Sequence, residues 1–172
     1  MPRTARTRIA RFVSAACLLA AGVLLLAATP MAQAGYSGPH GATGGSDAAV
    51  VRRIMARAHR GDAHAQAMLG FMYANGHGVP QSYDVAVDWY LQAAHQGDPD
   101  GQYLLGLMYD KGFGVKMDVV KAYKWLNLAA AHAPPRNRED FLRIREAVAS
   151  KMTRAQLDLA QQLAVDFVPT RQ

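Results

Sequence analysis

The sequence repeats itself after 36 residues, and this repeat constrains the fold more than any other feature of the chain. Residues 65–98 align with residues 101–134 without a gap, and 12 of the 34 aligned positions are identical. The identical pairs are Gln66/Gln102, Leu69/Leu105, Gly70/Gly106, Met72/Met108, Tyr73/Tyr109, Gly76/Gly112, Gly78/Gly114, Val79/Val115, Ala86/Ala122, Trp89/Trp125, Ala93/Ala129 and Ala94/Ala130. Tandem copies of this length are typical of stacked units that bury their apolar faces against one another.

Each copy is predicted to form two helices joined by a glycine-containing turn. Gly76 and Gly78 end the first helix, because glycine readily adopts the left-handed conformation found at helix C-termini. Ser82, and Asp118 in the second copy, are placed to cap the second helix, and Gly97 closes the first unit. Apolar residues recur at helical spacing in both helices: Ala65, Met68, Leu69, Met72 and Tyr73, then Val85, Ala86, Trp89, Tyr90, Ala93 and Ala94.

Gly70 and Gly106 lie inside the first helix of each copy. Glycine costs about 1 kcal/mol there relative to alanine. Its presence at the same register in both copies predicts a close approach by the partner helix, through Ala86 or Ala93. Helix packing of this kind leaves the interior with no room for a side chain at either glycine.

Flanking segments extend the repeats into a longer helical domain. The C-terminal helices are predicted from Arg138 to Ser150 and from Thr153 to about Val168; a capping box of Thr153 and Gln156 starts the last one. Its apolar stripe, Leu157, Ala160, Leu163 and Phe167, is predicted to cover the open end of the stack. The predicted domains are a signal peptide at 1–34, a flexible linker at 35–46, a capping helix at 47–61, repeats at 62–97 and 98–133, and a helical cap at 137–168.

Residues 1–34 have the order of a secretory signal peptide, with a basic start, an apolar run and Ala32-Gln33-Ala34 before a predicted cleavage site. We therefore expect a periplasmic or secreted protein with no stable membrane insertion after cleavage. The segment holds four arginines and no acidic residue, so it supplies four of the formal net charge of +6. The remaining +2 gives no reason to expect a nucleic-acid partner. The chain's one cysteine, Cys17, stands near the beginning of the apolar run, where lipid attachment is not expected.

The repeated residues resemble the Sel1-like repeat family, a relative of the tetratricopeptide repeats. The shared pattern runs from Ala65 through Leu69-Gly70, Tyr73, Gly76 and Gly78-Val79 to Ala86, Trp89, Ala93-Ala94 and Gly97. The second copy departs from it only at Gly101 and Ala133. This resemblance implies a right-handed, all-α solenoid that serves as a scaffold or adaptor for protein–protein interaction. Some cysteine-rich relatives are credited with β-lactam chemistry, but this chain lacks their cysteines.

No catalytic, cofactor or metal site is predicted. After residue 34 the serines stand only at 37, 46, 82 and 150, and none begins a Ser-x-x-Lys pair. Histidines 40, 59, 64, 77, 95 and 132 lack the close spacing of a metal site and are interpreted as facing solvent. A weak β-lactam or cell-wall hydrolase remains an alternative. So does a peptidoglycan- or polysaccharide-binding module, which would require exposed Trp89 and Trp125, two residues predicted here to bury most of their rings.

A protein or peptide partner is predicted to bind the face of the first helices that points away from the repeat pattern. The candidate residues are His64, Ala67, Phe71, Asn75, Asp100, Tyr103, Leu107 and Lys111. Phe71, Tyr103 and Leu107 are the large apolar side chains among them, and such residues bordered by polar ones often mark a contact surface. The alternative is that the capping helix or the C-terminal helices bury them.

Overall fold

The computed structural model describes residues 44–170, with side chains from residue 48 onward, and this part of the chain is all-α. It contains seven helices and no strand over that range. The helices are α1 (Gly44–Ala58), α2 (Ala63–Asn75), α3 (Tyr83–His95), α4 (Pro99–Lys111), α5 (Val119–His132), α6 (Pro135–Ala149) and α7 (Arg154–Val165). The helix pairs α2–α3 and α4–α5 correspond to the two sequence copies, so the predicted α-solenoid is confirmed.

Both copies begin and end their helices with the same local signals. The side chains of Asp62 and Asp98 accept hydrogen bonds from backbone N–H groups in the first turns of α2 and α4. The predicted caps of α3 and α5, Ser82 and Asp118, are confirmed by hydrogen bonds from Val85, and from Val120 and Lys121. Gly76 and Gly112 end α2 and α4 with φ of 70° and 72°. These caps explain why the helix boundaries recur with the sequence.

From α1 to α6, consecutive helices pack against one another, and α2 also contacts α4, so the first helices of the two repeats lie side by side. A Cβ on Gly70 would lie 2.6 Å from the Tyr90 ring and 3.0 Å from the carbonyl oxygen of Ala86. A Cβ on Gly106 would lie 2.7 Å from Leu126. The predicted close approach is therefore confirmed at Ala86, whereas Ala93 is instead the neighbour of Gly101 in the next repeat.

The C-terminal helices cap the second repeat, because both α6 and α7 pack on α5. The capping box of Thr153 and Gln156 is confirmed. The predicted apolar stripe of α7 was wrong at one position. Ala160 and Ala164 are buried, but Leu163 is 37% exposed because Ala164, four residues after Ala160, continues the buried face of the helix.

Some predicted boundaries differ from the observed ones. Helix α1 begins at Gly44 instead of residue 47, so the last three residues of the predicted linker belong to it. Helix α6 begins at Pro135, since proline fits the first turn of a helix, and α7 ends at Val165. The predicted signal peptide and the rest of the linker lie outside the described residues. Within the described part, none of the helices has the length and apolar character needed to cross a bilayer.

Candidate protein-binding groove

An apolar groove lies along the first helices of the two repeats. Its volume is about 360 Å³, and helices α1, α2, α4 and α6 all contribute to its wall. We refer to it as the α2–α4 groove. Its lining residues are Ile54, His64, Ala67, Met68, Phe71, Met72, Asp100, Tyr103, Leu104 and Phe141. Phe71 and Met68 are its most open apolar members, at 43% and 40% exposure. Exposed side chains of this size in a concave surface favour contact with another apolar group.

The groove brings together five of the eight residues predicted to bind a partner. These are His64, Ala67, Phe71, Asp100 and Tyr103. Asn75, Leu107 and Lys111 do not line it. Ala67 is 2% exposed, so it forms the floor of the groove and does not project as an exposed residue. The face was predicted from helical spacing alone, and that spacing does not show how deep between α2 and α4 each position falls.

Each of the three large apolar candidates has a different environment. Phe71 stays open and, among the described aromatic side chains, contacts only the edge of the His77 ring, with the centroids 5.9 Å apart. Tyr103 is half-buried because it stacks on Phe141 of α6, at a centroid distance of 4.2 Å. Leu107 packs against a core cluster formed mainly by residues of both repeats. Phe71 is therefore open to contact, Tyr103 is covered by a C-terminal helix as the alternative predicts, and Leu107 is covered mainly by the core of the repeats.

Five groove residues were missed by the sequence analysis, among them Met72, which was assigned to the buried stripe of α2 and is 8% exposed. Met68 was assigned to the buried stripe of α2, but its position at the edge of that stripe leaves it open to the groove. Ile54, Leu104 and Phe141 belong to the wall as well. Met68 lies four residues after His64 and three before Phe71, so helical spacing could have placed it on the same face. The contributions of α1 and α6 depend on tertiary packing and had no local signal.

One end of the groove carries acidic groups. His64 Nδ1 lies 3.8 Å from Asp98 Oδ2 and 4.0 Å from Asp100 Oδ2. The Asp98 side chain is only 10% exposed, and its other oxygen accepts a hydrogen bond from the backbone N–H of Gly101. Burial, and then the charge of Asp100, raise the pKa of the Asp98 carboxyl above its usual value. The apolar groove is therefore bordered by two carboxylates that repel one another.

The same three side chains are potential metal ligands, and their ligand atoms lie within 4.8 Å of one another. No metal site was predicted from the sequence. A tetrahedral zinc ion with bonds of about 2.1 Å holds its ligand atoms about 3.4 Å apart. The distances from His64 to both carboxylates exceed this, and the His64 side chain is 58% exposed. The geometry fits a loose ion-pair cluster better than a formed metal site.

Two histidines have a packing role that the sequence analysis did not identify. The rings of His59 and His95 stand edge-on to Trp89 and Trp125, at centroid distances of 5.2 and 5.4 Å. Every histidine whose side chain is described, from His59 to His132, is exposed, as interpreted from the sequence. Trp125 is 4% exposed, as predicted, but Trp89 is only partly buried. Phe167 of the C-terminal segment covers Trp125, and the described residues give Trp89 no such aromatic cover.

The buried position of Trp125 does not support the polysaccharide-binding alternative, which requires both tryptophans to be exposed. The two serines whose side chains are described also have structural roles. Ser82 caps α3, and the Ser150 hydroxyl donates a hydrogen bond to the backbone carbonyl of Ala147. Neither arrangement gives the activated nucleophile that a β-lactam hydrolase needs.

These observations define an all-α repeat domain whose first helices form a groove. The comparisons identify the repeat: the family model of the Sel1 repeat matches residues 63–98 and 99–133. These residues are thus two Sel1 repeats, and the resemblance seen in the sequence is confirmed. Sel1 repeats generally serve as scaffolds for protein–protein interaction.

Two solved structures are similar to the chain. One is a protective antigen present in uropathogenic Escherichia coli strains and displaying an SLR fold, with 29% identity over 70% of this chain and a TM-score of 0.64. The other is a Sel1 repeat protein from Oxalobacter formigenes, with 36% identity over 56% of this chain and a TM-score of 0.51. This chain spans 25% and 28% of their lengths. A search of curated proteins gave no match.

Proposed function

We propose that this protein is an exported interaction module that binds a protein or peptide partner of the cell envelope in the α2–α4 groove. The observation that carries the proposal is the exposure of Phe71 and Met68 within a concave apolar surface. Neither side chain is needed to close the core, since the buried clusters are formed by other residues of the repeats. Exposed anchors of this type supply binding energy without serving the fold.

The shape of the groove supports a peptide or a projecting segment as the bound element. A volume of about 360 Å³ accommodates one or two large side chains and is too small for a folded domain. The floor, formed by Ala67 and Met72, is already closed by packing between α1, α2 and α4. A preformed floor reduces the ordering cost of binding.

Export is supported by the sequence of the first 34 residues, with its basic start, apolar run and Ala-x-Ala ending. A C-terminally tagged chain is expected to accumulate in the periplasmic or secreted fraction in a form shorter than the cytoplasmic precursor. Mass spectrometry of the accumulated form is expected to show Gly35 as its first residue. A full-length chain found only in the cytoplasm would contradict the export proposal and leave the groove proposal intact.

Photo-crosslinking tests the groove. A benzoylphenylalanine introduced at Phe71 is expected to give a discrete crosslinked product in the producing cells, because the side chain is open at the groove. The matched control is the same residue at Leu159, which is 52% exposed on α7 and does not line the groove. A second variant, Met68→Asp, should abolish the product at position 71 without unfolding the domain. Equal products at both positions, or a product that survives Met68→Asp, would contradict binding in the groove.

A further inference from the structure

The N-cap aspartates of the two repeats are paired differently. Asp62 caps α2 and forms an ion pair with Arg57, whose Nη2 lies 2.7 Å from Asp62 Oδ2. Asp98 is its counterpart 36 residues later and caps α4. The residue equivalent to Arg57 is Ala93, which is fully buried against Gly101. The second repeat therefore lacks the cation that neutralises the cap of the first.

The negative charge at Asp98 is only weakly compensated by the protein. The side chain is nine-tenths buried, and the side chain paired with it is the exposed His64 imidazole, 3.8 Å away. Asp100 adds a second carboxylate and lines the groove together with His64. On the opposite wall, the charged groups close to Tyr103 are Asp140 and Arg143, and these two side chains are paired with each other. The acidic end of the groove thus favours a positive charge supplied from outside.

The apolar and acidic parts of the groove are adjacent on α2. His64 lies four and seven residues before Met68 and Phe71, so the three side chains lie on one face of the helix. A ligand whose apolar side chain contacts Met68 and Phe71 therefore has the two carboxylates at one end. Lysine and arginine side chains are the common protein groups that satisfy such a site.

We propose that the α2–α4 groove selects peptide segments in which a bulky apolar residue stands next to a lysine or arginine. The apolar side chain contacts Phe71 and Met68, and the cation contacts Asp100 and Asp98. This inference rests on the proposed function, because it specifies the partner of the same groove. A divalent ion bound by His64, Asp98 and Asp100 is the competing use of these carboxylates.

Selection from a random heptapeptide library displayed on phage, with the purified full chain as target, tests the inference. Enriched peptides are expected to place lysine or arginine within two positions of an aromatic residue or leucine. The strongest peptide is then synthesised with its cation and with glutamine in its place. The glutamine version is expected to bind the native chain at least about fivefold more weakly, and the double variant Asp98→Asn, Asp100→Asn should lose this difference.

The matched control is Asp88→Asn, Asp158→Asn, which removes the same total charge from α3 and α7 away from the groove. This control should keep the preference for the cation. Asparagine caps helices as well as aspartate does, so Asp98→Asn should not cost the N-cap of α4.

The outcomes separate the inference from the function on which it rests. Enriched peptides that need Phe71 but show no preference for a cation would overturn the inference and leave groove binding intact. A selection that enriches no peptide sequence would overturn both. Micromolar binding of zinc chloride that is lost in the double variant and prevents peptide binding would show that the carboxylates hold a metal ion, which also overturns the inference.

Discussion

The two repeats share an interior and differ at their edges. In both, a glutamine side chain binds an alanine carbonyl eight residues earlier: Gln66 donates to Ala58 and Gln102 to Ala94, each at 3.2 Å. In both, a histidine stands against the tryptophan 30 residues further along the chain. The neighbours are what differ, since the first repeat follows α1 while the second lies between α3 and the C-terminal cap. The residues that the two repeats share therefore form the common interior of each repeat, and the residues that differ contact the different neighbouring helices.

The tryptophans provide the strongest test of this comparison. Trp125 is buried beneath Phe167 and His95, with the Lys124 ammonium 4.5 Å from its ring centre, whereas Trp89 is only partly covered. We expect Trp125→Ala to lower the free energy of unfolding by about 4 kcal/mol and Trp89→Ala by about 2 kcal/mol, because less of the Trp89 ring leaves water on folding. Urea unfolding monitored by circular dichroism measures both. Equal losses would show that the cover over Trp125 adds no stability.

Replacing the second glycine of each turn by alanine should give the next largest difference in stability between the two repeats. Gly78 and Gly114 have φ of 72° and 67°, so alanine is strained at both. At Gly78 the added Cβ would meet the movable Val51 side chain, but at Gly114 it would lie 2.5 Å from the backbone carbonyl of Tyr83. We expect a loss of about 2 kcal/mol for Gly78→Ala and about 3 kcal/mol or more for Gly114→Ala. Thermal unfolding of the two variants measures the difference, and a milder effect at Gly114 would indicate that the repeats can separate there at little cost.

Much of this fold was predictable because its signals are local. Glycines that require positive φ, such as Gly76, and cap residues, such as Ser82 and Thr153, fix helix ends from a few neighbouring residues. The close contact at Gly70 was predictable because a glycine inside a helix needs a packing reason. The partner of that contact is mainly the Tyr90 ring, which sequence alone did not select from the residues of α3.

The groove was predictable only in part, since helical spacing shows which residues share a face but not what covers it. His64, Phe71 and Asp100 were correctly placed together. The cover over Tyr103 was not predicted, because it comes from Phe141 on a helix outside the repeats. The histidine–tryptophan contacts had a signal that was overlooked: His59 and His95 precede their tryptophans by the same 30 residues. A pair repeated at constant spacing favours a contact that recurs between each repeat and the segment before it.

Replacing the buried glutamines should give a smaller difference in stability between the two repeats. The Gln66 carbonyl oxygen accepts a hydrogen bond from Gln96 at 2.6 Å, while the corresponding oxygen of Gln102 has no partner among the described side chains and backbone. Replacement by methionine removes a satisfied group in the first repeat and a half-satisfied one in the second. We therefore expect Gln66→Met to destabilise the domain by about 1 kcal/mol more than Gln102→Met in urea unfolding. The reverse order would mean that the oxygen of Gln102 is satisfied in solution.

Replacing the N-cap aspartates should change the stability least, and the two replacements should change it in opposite directions. The backbone N–H of Ala65 and the side chain of Arg57 lower the pKa of Asp62, whereas burial raises that of Asp98. Folding therefore favours the charged form of Asp62, whose stabilisation is present at neutral pH and is lost as pH falls through the carboxyl range. Folding favours the protonated form of Asp98, whose stabilisation is present in acid and is lost as pH rises.

At pH 7 we expect Asp62→Asn to destabilise the domain and Asp98→Asn to stabilise it, each by less than about 1 kcal/mol. Asparagine keeps both caps, so only the charge is removed. Both differences from the native chain should shrink toward pH 3, because protonation removes the carboxylate charge that asparagine lacks, and the difference at Asp62 should persist to the lower pH because its pKa is lowered. Urea midpoints measured between pH 3 and pH 7 test this. A loss of stability for Asp98→Asn at pH 7 would show that the folded domain already stabilises the charged carboxylate, and the acidic end of the groove would then have less need of a cation from a partner.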